Sequence, residues 1–540
     1  MDILDEQKKK IRKRNAKILN RLVCSCCGND LDELLVCKKC KHHERMSALK
    51  RVEMIQNNGG EFKQLFEECD IDNSKLYGYS EKFERDKNRT RLTESVIVGK
   101  CKVNNISFVT ILMERYFMVG TLSKANGEKI ARAFEYATKN RLPVVAFCAG
   151  GGVRLQEGAV GLIQMAKIDA ALMKFRKKDL PFISVLTDPT YGGTTASFGL
   201  AGDINIAEPN SSIGFGGKIL VKDILHEQVA DDFQSAEYVM RSGGIDMICE
   251  RKCIFDTILE LLDLLNKNNT INIETETPEY DLGSKRPERV LQNIRNDSRS
   301  VGIDYLYKLF DKPIILKGDR ISYDDPSLLT GLGKISGAKV AFIIQNKGRN
   351  LNENIENNYG MTRPEGFRKA IRMAKLAEKF HLPILILLDS PGAHPGDDAE
   401  KNCQSIAISE SMMNLLEVKT LVITIVTGEG CSGGALGLSV ADALAMFSGA
   451  TYSVISPESY SAIIFDKPKV QPELLASMRF TAKDLYDEGL IDEILKEGTL
   501  EYNASQIKHY FTESLMRFNK LGAKQLLTRR YNRIRDWDKK

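Results

Sequence analysis

No run of about 20 apolar residues, the length needed to span a bilayer, occurs in this chain. Its long uncharged stretches, such as Ala443 to Pro457, are broken by Gly, Ser and Pro. A protein spanning a membrane by helices is therefore excluded. The N-terminus also lacks the basic stretch, apolar core and small-residue cleavage site of a secretory signal, opening instead with Lys8, Lys9, Lys10, Arg12, Lys13 and Arg14. A cytoplasmic location is expected. There is no G-x-x-x-x-G-K-[ST] phosphate loop and no H-E-x-x-H motif, so the ordinary nucleotide and zinc-protease signals are missing. Neither sign of charge dominates: 77 Lys and Arg face 72 Asp and Glu, the balance of a folded globular chain. With 540 residues, the chain exceeds what one hydrophobic core organises, and two large domains or more are expected.

What the sequence does contain begins with cysteine. Five of the twelve crowd into Cys24 to Cys40 and the rest are scattered singly, which favours metal binding over a disulfide framework. Cys24, Cys27, Cys37 and Cys40 form two C-x-x-C knuckles, each able to point two thiolates at one tetrahedral Zn2+. Cys26 is an alternative within the first knuckle, but Gly28 and the two-residue spacing favour Cys27. Four thiolates close the coordination shell and leave no position for water, so one structural zinc per chain is expected. Residues 1–51 carry fourteen basic side chains against seven acidic ones. A solvated basic arm over residues 1–19 is the preferred reading, since no aromatic side chains are interleaved to stack on bases; a weak nucleic-acid contact is the alternative.

Beyond the ribbon at 20–50 and a charged, irregular connector to about Thr93, the chain echoes itself. Ile130, Phe134 and Ala137 lie at helical spacing before Leu142-Pro143 and the apolar run Val144 to Phe147. Phe367, Ile371 and Ala374 repeat that spacing before Leu382-Pro383 and Ile384 to Leu388. Both buried strands run into glycine turns, Gly150-Gly151-Gly152 and Pro391-Gly392. The next strands, Phe182 to Leu186 and Leu421 to Val426, end at Gly192-Gly193 and Gly433-Gly434. The alternation implies two homologous α/β domains of parallel layering, at 51–270 and 291–540, joined by a polar linker at 271–290. Paired glycines after a buried strand leave backbone N–H groups facing outward, and such groups can stabilise an oxyanion. Close backbone packing is the competing explanation for any single pair.

These residues resemble a known family, the carboxyltransferase of bacterial acetyl-CoA carboxylase, with β and α subunits fused in that order. The β-type likeness runs through Cys40-Lys-His-His, Gly151-Gly-Val-Arg-Leu-Gln-Glu157, Ile183-Ser-Val-Leu-Thr-Asp-Pro189 and Ile206-Ala-Glu-Pro209. The α-type likeness runs through Asn346-Lys-Gly-Arg349, Tyr359-Gly-Met361, Asp389-Ser-Pro-Gly392 and Ser432-Gly-Gly-Ala435. Departures from the family pattern include His394 in place of tyrosine, Cys431 and Gly150 in place of glycine and serine, and Val119-Gly-Thr-Leu-Ser123 in place of a glycine-rich stretch.

The resemblance implies a crotonase-like fold in each domain and transfer of a carboxyl group from carboxybiotin to acetyl-CoA, giving malonyl-CoA. Gly151 and Gly152 would then donate to the thioester enolate, and Gly434 and Ala435 to the biotin ureido oxygen, with Gly433 beside them. Arg154 would either touch CoA phosphate or pair with a carboxylate such as Glu157. Lys347 and Arg349 are candidate anion contacts, with a solvated face as the plainer reading. No ATP-grasp-like loop and no A-M-K-M attachment sequence is found, which implies a separate biotin carboxylase and biotin carboxyl carrier protein. A homodimer or higher homo-oligomer is also implied. The alternatives are a paralogue acting on another acyl thioester or in the decarboxylating direction and, in another class, a zinc-ribbon nucleic-acid-binding regulator.

Overall fold

The computed structural model describes residues 22–67, 79–217, 228–266, 280, 286–296, 298–465, 470, 475, 477–518 and 520–536. The basic arm at 1–19 and most of the 271–290 linker lie outside the described residues. Two compact units divide the chain, Met1–Leu265 and Asn266–Lys540.

The first unit holds strands β1 (Glu61–Leu65), β2 (Val96–Val103), β3 (Ile106–Met113), β4 (Val144–Gly150), β5 (Phe182–Tyr191), β6 (Ile204–Ala207), β7 (Ile213–Gly214) and β8 (Met247–Ile248). They form one sheet in the order β1-β2-β3-β4-β5-β6-β8, with β7 paired to β5. The second unit holds β9 (Ile314–Ile315), β10 (Leu328–Ile335), β11 (Ala338–Gln345), β12 (Ile384–Ser390), β13 (Val422–Cys431), β14 (Ala443–Phe447), β15 (Thr451–Ser453) and β16 (Glu493–Leu495). Its sheet runs β16-β14-β13-β12-β11-β10-β9, with β15 paired to β13.

Each sheet opens with an antiparallel hairpin and continues as parallel strands. The hairpins turn on Asn104-Asn105 and Ser336-Gly337, all four at positive φ, the I′-type handedness that matches strand twist. Helices Lys124–Asn140 and Pro364–Phe380 then carry the chain across to β4 and β12. Ser123 caps the first by accepting from the Asn126 N–H, and Pro364 begins the second, where no intrahelical donor is needed. Ile130, Phe134, Ala137, Phe367 and Ala374 are buried, while Ile371 is half-buried. Strands β4 and β12 are buried along their whole length, as central parallel strands covered on both faces must be.

Just before the glycine turns the ladder slips in register, after Cys148 in one unit and after Leu388 in the other. The carbonyls freed there are satisfied by hydroxyls: Thr187 and Thr190 donate to Cys148 O at 2.8 and 2.9 Å, and Thr427 to Leu388 O at 3.1 Å. Pairing resumes at Gly150–Thr190 and Ser390–Gly430, with the extra residues on β5 and β13.

The expected irregular connector is instead a helix at Ala48–Asn57, the edge strand β1 and a helix at Tyr79–Thr90. Charge hid the last of these. Only Tyr79, Phe83 and Asp86 are buried on it, with the Phe83 ring 5.0 Å from that of Phe117. A helix at Pro287–Ile294 also occupies the end of the expected linker. Among the described residues, no helix is long and apolar enough to cross a membrane.

Candidate active site and metal centre

The four cysteines converge. Their sulfurs lie within 4.8 Å of one another, with Cys24–Cys40 at 3.6 Å, Cys27–Cys37 at 3.5 Å and Cys27–Cys40 at 3.4 Å. Four ligands at about 2.3 Å from a tetrahedral zinc would stand roughly 3.8 Å apart, so the set fits such an ion. Each knuckle closes on a left-handed residue, Gly28 and Lys41, whose N–H groups return to Cys24 O and Cys37 O. Cys26 is exposed and stands outside the cluster.

A buried ion cluster, not legible in the sequence, ties the ribbon to its sheet. Glu208 accepts from Arg51 at 2.8 Å and from both ends of the Arg251 guanidinium at 2.6 and 3.0 Å. Arg251 also donates to the ribbon carbonyls of Leu34 and Glu44 at 2.6 and 2.9 Å. Burial would raise the Glu208 carboxyl, but Arg51 and Arg251 hold it down at about 2.

The first glycine turn opens into a cleft of about 480 Å³ lined by Lys82, Val119, Gly151, Gly152, Gly193 and Phe215 among others. The Gly151 N–H does not face this space freely: it donates to Val119 O at 2.9 Å. The N–H groups of Gly152 and Gly193 have no acceptor among the described residues. Gly152 adopts φ +102, and a Cβ placed on it would stand 3.5 Å from the Gly193 nitrogen. The two N–H groups without an acceptor belong to different loops, one after β4 and one after β5.

The second turn follows the same plan with different donors. Ser432–Ser439 is a helix capped by Cys431. In such a helix the Ala435 N–H is the first to close onto the cap carbonyl, whereas those of Gly433 and Gly434 have no intrahelical acceptor. The helix thus engages the Ala435 N–H and leaves those of Gly433 and Gly434 outside its own ladder. Only glycine fits at 434, because a Cβ there would lie 2.3 Å from the Ala393 nitrogen. Gly392 spends its own N–H on the Ser390 hydroxyl at 3.2 Å.

Arg154 does not reach the cleft. It is fully buried, with its guanidinium 2.5 and 2.6 Å from the two oxygens of Glu94 and 3.1 Å from the Tyr79 hydroxyl; Glu157 stands farther off at 3.7 Å. Arg154, expected on the CoA side, is instead paired with a carboxylate, chiefly Glu94. Lys82, which the sequence reading passed over, is the cation among the residues lining the cleft.

Lys347 is neither a solvated charge nor a free anion contact. It pairs with Asp389 at 3.1 Å and with Glu429, and Arg299 meets the other Asp389 oxygen at 3.1 Å. Burial would raise the Asp389 carboxyl, but Lys347 and Arg299 hold it below the ordinary carboxylate range. Arg349 is exposed and pairs with Asp304. The G-x-S-x-G spacing, which the sequence reading counts as absent, is in fact present at Gly430-x-Ser432-x-Gly434, a serine-hydrolase signature. Ser432 does sit at φ +59 on a strand-to-helix turn, yet no base hydrogen-bonds its hydroxyl among the described residues.

A family model described as acetyl co-enzyme A carboxylase carboxyltransferase-like matches residues 275–538. The fused beta/alpha acetyl-coenzyme A carboxylase carboxyl transferase subunits of Clostridium tetani are 38% identical, over 93% of this chain and 89% of theirs. The chain belongs to this fused beta/alpha carboxyl transferase family. Its counterpart in Natranaerobius thermophilus is 35% identical over 93% of this chain and 87% of its own. Among solved structures, transcarboxylase 12S with methylmalonyl-coenzyme A and methylmalonic acid bound superimposes with a TM-score of 0.69 at 19% identity, covering 88% of this chain and 89% of that one. That likeness shows the fold, crotonase-like in both units, as the resemblance implied.

Proposed function

We propose that this carboxyl transferase moves the carboxyl group of carboxybiotin, borne by a separate carrier protein, onto acetyl-CoA to give malonyl-CoA. The observation that carries the reading is the pair of N–H groups without an acceptor among the described residues, on Gly152 and Gly193, which line one cleft. Removing a proton from the α-carbon of a thioester places negative charge on its carbonyl oxygen, and two preorganised donors stabilise that charge where it develops. Leu155 and Phe215 stand exposed on the cleft wall and offer apolar surface to the ligand, while Lys82 supplies a cation for a CoA phosphate.

Carboxybiotin supplies the carboxyl group and, once that has left, the base. The N–H groups of Gly433 and Gly434, which have no intrahelical acceptor, suit the other oxyanion, the ureido oxygen. Among the described residues lining the first cleft there is no carboxylate or imidazole, consistent with proton removal by the incoming group. Zn2+ on Cys24, Cys27, Cys37 and Cys40 serves structure alone, holding the ribbon that Arg251 grips. The activity calls for biotin carboxylase and a biotin carrier as partners, and the fused chain pairs with itself.

Carboxylated carrier protein mixed with acetyl-CoA and the purified chain should yield malonyl-CoA, read by mass spectrometry. Binding of nucleic acid with no malonyl-CoA formed would favour the regulator reading instead.

A further inference from the structure

The most strained backbone beside the first cleft belongs to a valine. Met118 and Val119 adopt φ +45 and +62, followed by Gly120 at +67. A β-branched side chain is a true outlier in this region, because its methyls crowd its own backbone. The second unit repeats the conformation at Asn358, Tyr359 and Gly360, with φ of +50, +56 and +75. There the first position is asparagine, which tolerates it.

Several contacts hold Val119 in place. The Met118 N–H donates to buried Asp86 at 3.0 Å, Val119 O accepts from Gly151, and Gly120 packs so closely that a Cβ would lie 2.2 Å from Ala149 O. The result fixes the Val119 side chain over the oxyanion turn. Its Cγ1 stands 2.8 Å from where a Gly151 Cβ would be, and the residue lines the cleft while 39% exposed. Gly151, Gly152, Gly192 and Gly193 contribute no side chains, so this isopropyl group is the bulk set against the Gly151 side of the turn, with Val153 and Met165 standing against Gly193.

We infer that Val119 determines the acyl size the enzyme accepts, its γ-methyls filling the space that a substituent on the thioester α-carbon would need. The inference rests on the proposed transfer to an acyl thioester. It makes an acetyl group the best fit and penalises propionyl-CoA, since one methylene in a shaped apolar pocket can be worth about 10-fold or more.

The test compares kcat/KM for propionyl-CoA and acetyl-CoA in Val119→Ala, Val119→Gly and Val119→Thr. The propionyl/acetyl ratio should rise from Val to Ala to Gly, by about 10-fold or more at Gly, while Thr, of equal size and branching, keeps the original ratio. A purely structural role would lower both substrates together. The ratio of dissociation constants for the two acyl-CoAs, read by calorimetry, follows Val119 without turnover. A binding ratio that shifts with side-chain size in a protein without transfer activity would uphold the size filter and overturn the proposed reaction. Ratios unmoved in both measurements for Ala and Gly would overturn the filter.

Discussion

Gly152→Ala separates the backbone from the chemistry at the first turn. At φ +102 an alanine is strained, at a cost of roughly 1–2 kcal/mol, and no neighbouring atom lies closer than 3.5 Å to its new Cβ. The unit should therefore fold, melting a few degrees lower. The new methyl, however, stands 3.5 Å from the Gly193 nitrogen, in the space that an oxyanion bonded at about 2.9 Å would occupy. Loss of one such donor costs on the order of 100-fold to 1,000-fold in kcat. Two partial reactions read the effect: α-hydrogen exchange of acetyl-CoA in deuterated water, which should fall by that factor, and decarboxylation of carboxybiotin without acyl-CoA, which should persist. A folded variant that exchanges within about threefold of the parent, or that loses both reactions alike, would refute the placement of the enolate at Gly152 and Gly193.

Cys37→Ser should lose the single zinc found by metal analysis and unfold the ribbon locally, since about 50 residues seldom hold a core without a metal or disulfide; full zinc retention would contradict the ligand set. Lys82→Ala should raise KM for acetyl-CoA severalfold with kcat little changed, the mark of a contact made equally in ground and transition states. The Glu208 carboxyl is held at about 2 against an ordinary value of 4.5. A depressed acid stabilises the fold above its unfolded pKa and loses that contribution as pH falls through the folded one, so stability should drop by roughly 3 kcal/mol between pH 4.5 and 2. In Glu208→Gln that acid-dependent part of the unfolding curve should flatten, and stability at pH 7 should fall by about 3–5 kcal/mol because two guanidiniums lose their partner.

The repeat was legible because it is local. Helices of equal length, 17 residues each, precede β4 and β12, and apolar spacing plus the following glycines show this without any contact information. The C-x-x-C knuckles were legible for the same reason. Which N–H groups remain free was not, because that depends on distant or cooperative bonds. Val119 O claims the Gly151 donor from 32 positions away, and a helix beginning at Ser432 claims the one at Ala435. Arg154 faced a choice between a ligand and a carboxylate, and its chief partner, Glu94, lies 60 residues earlier. Arg251 reaches Leu34 across 217 residues, beyond any pattern of spacing. The Tyr79–Thr90 helix escaped notice because it buries so little apolar surface.

Carboxyl exchange tests the central claim most directly. Malonyl-CoA labelled in its free carboxyl, incubated with free biotin and the zinc-loaded chain, should yield labelled carboxybiotin and acetyl-CoA in equal amounts, with the yield collapsing in Gly152→Ala. A correctly folded, zinc-containing protein that transfers no label from malonyl-CoA or any other carboxylated acyl-CoA to biotin would contradict the account.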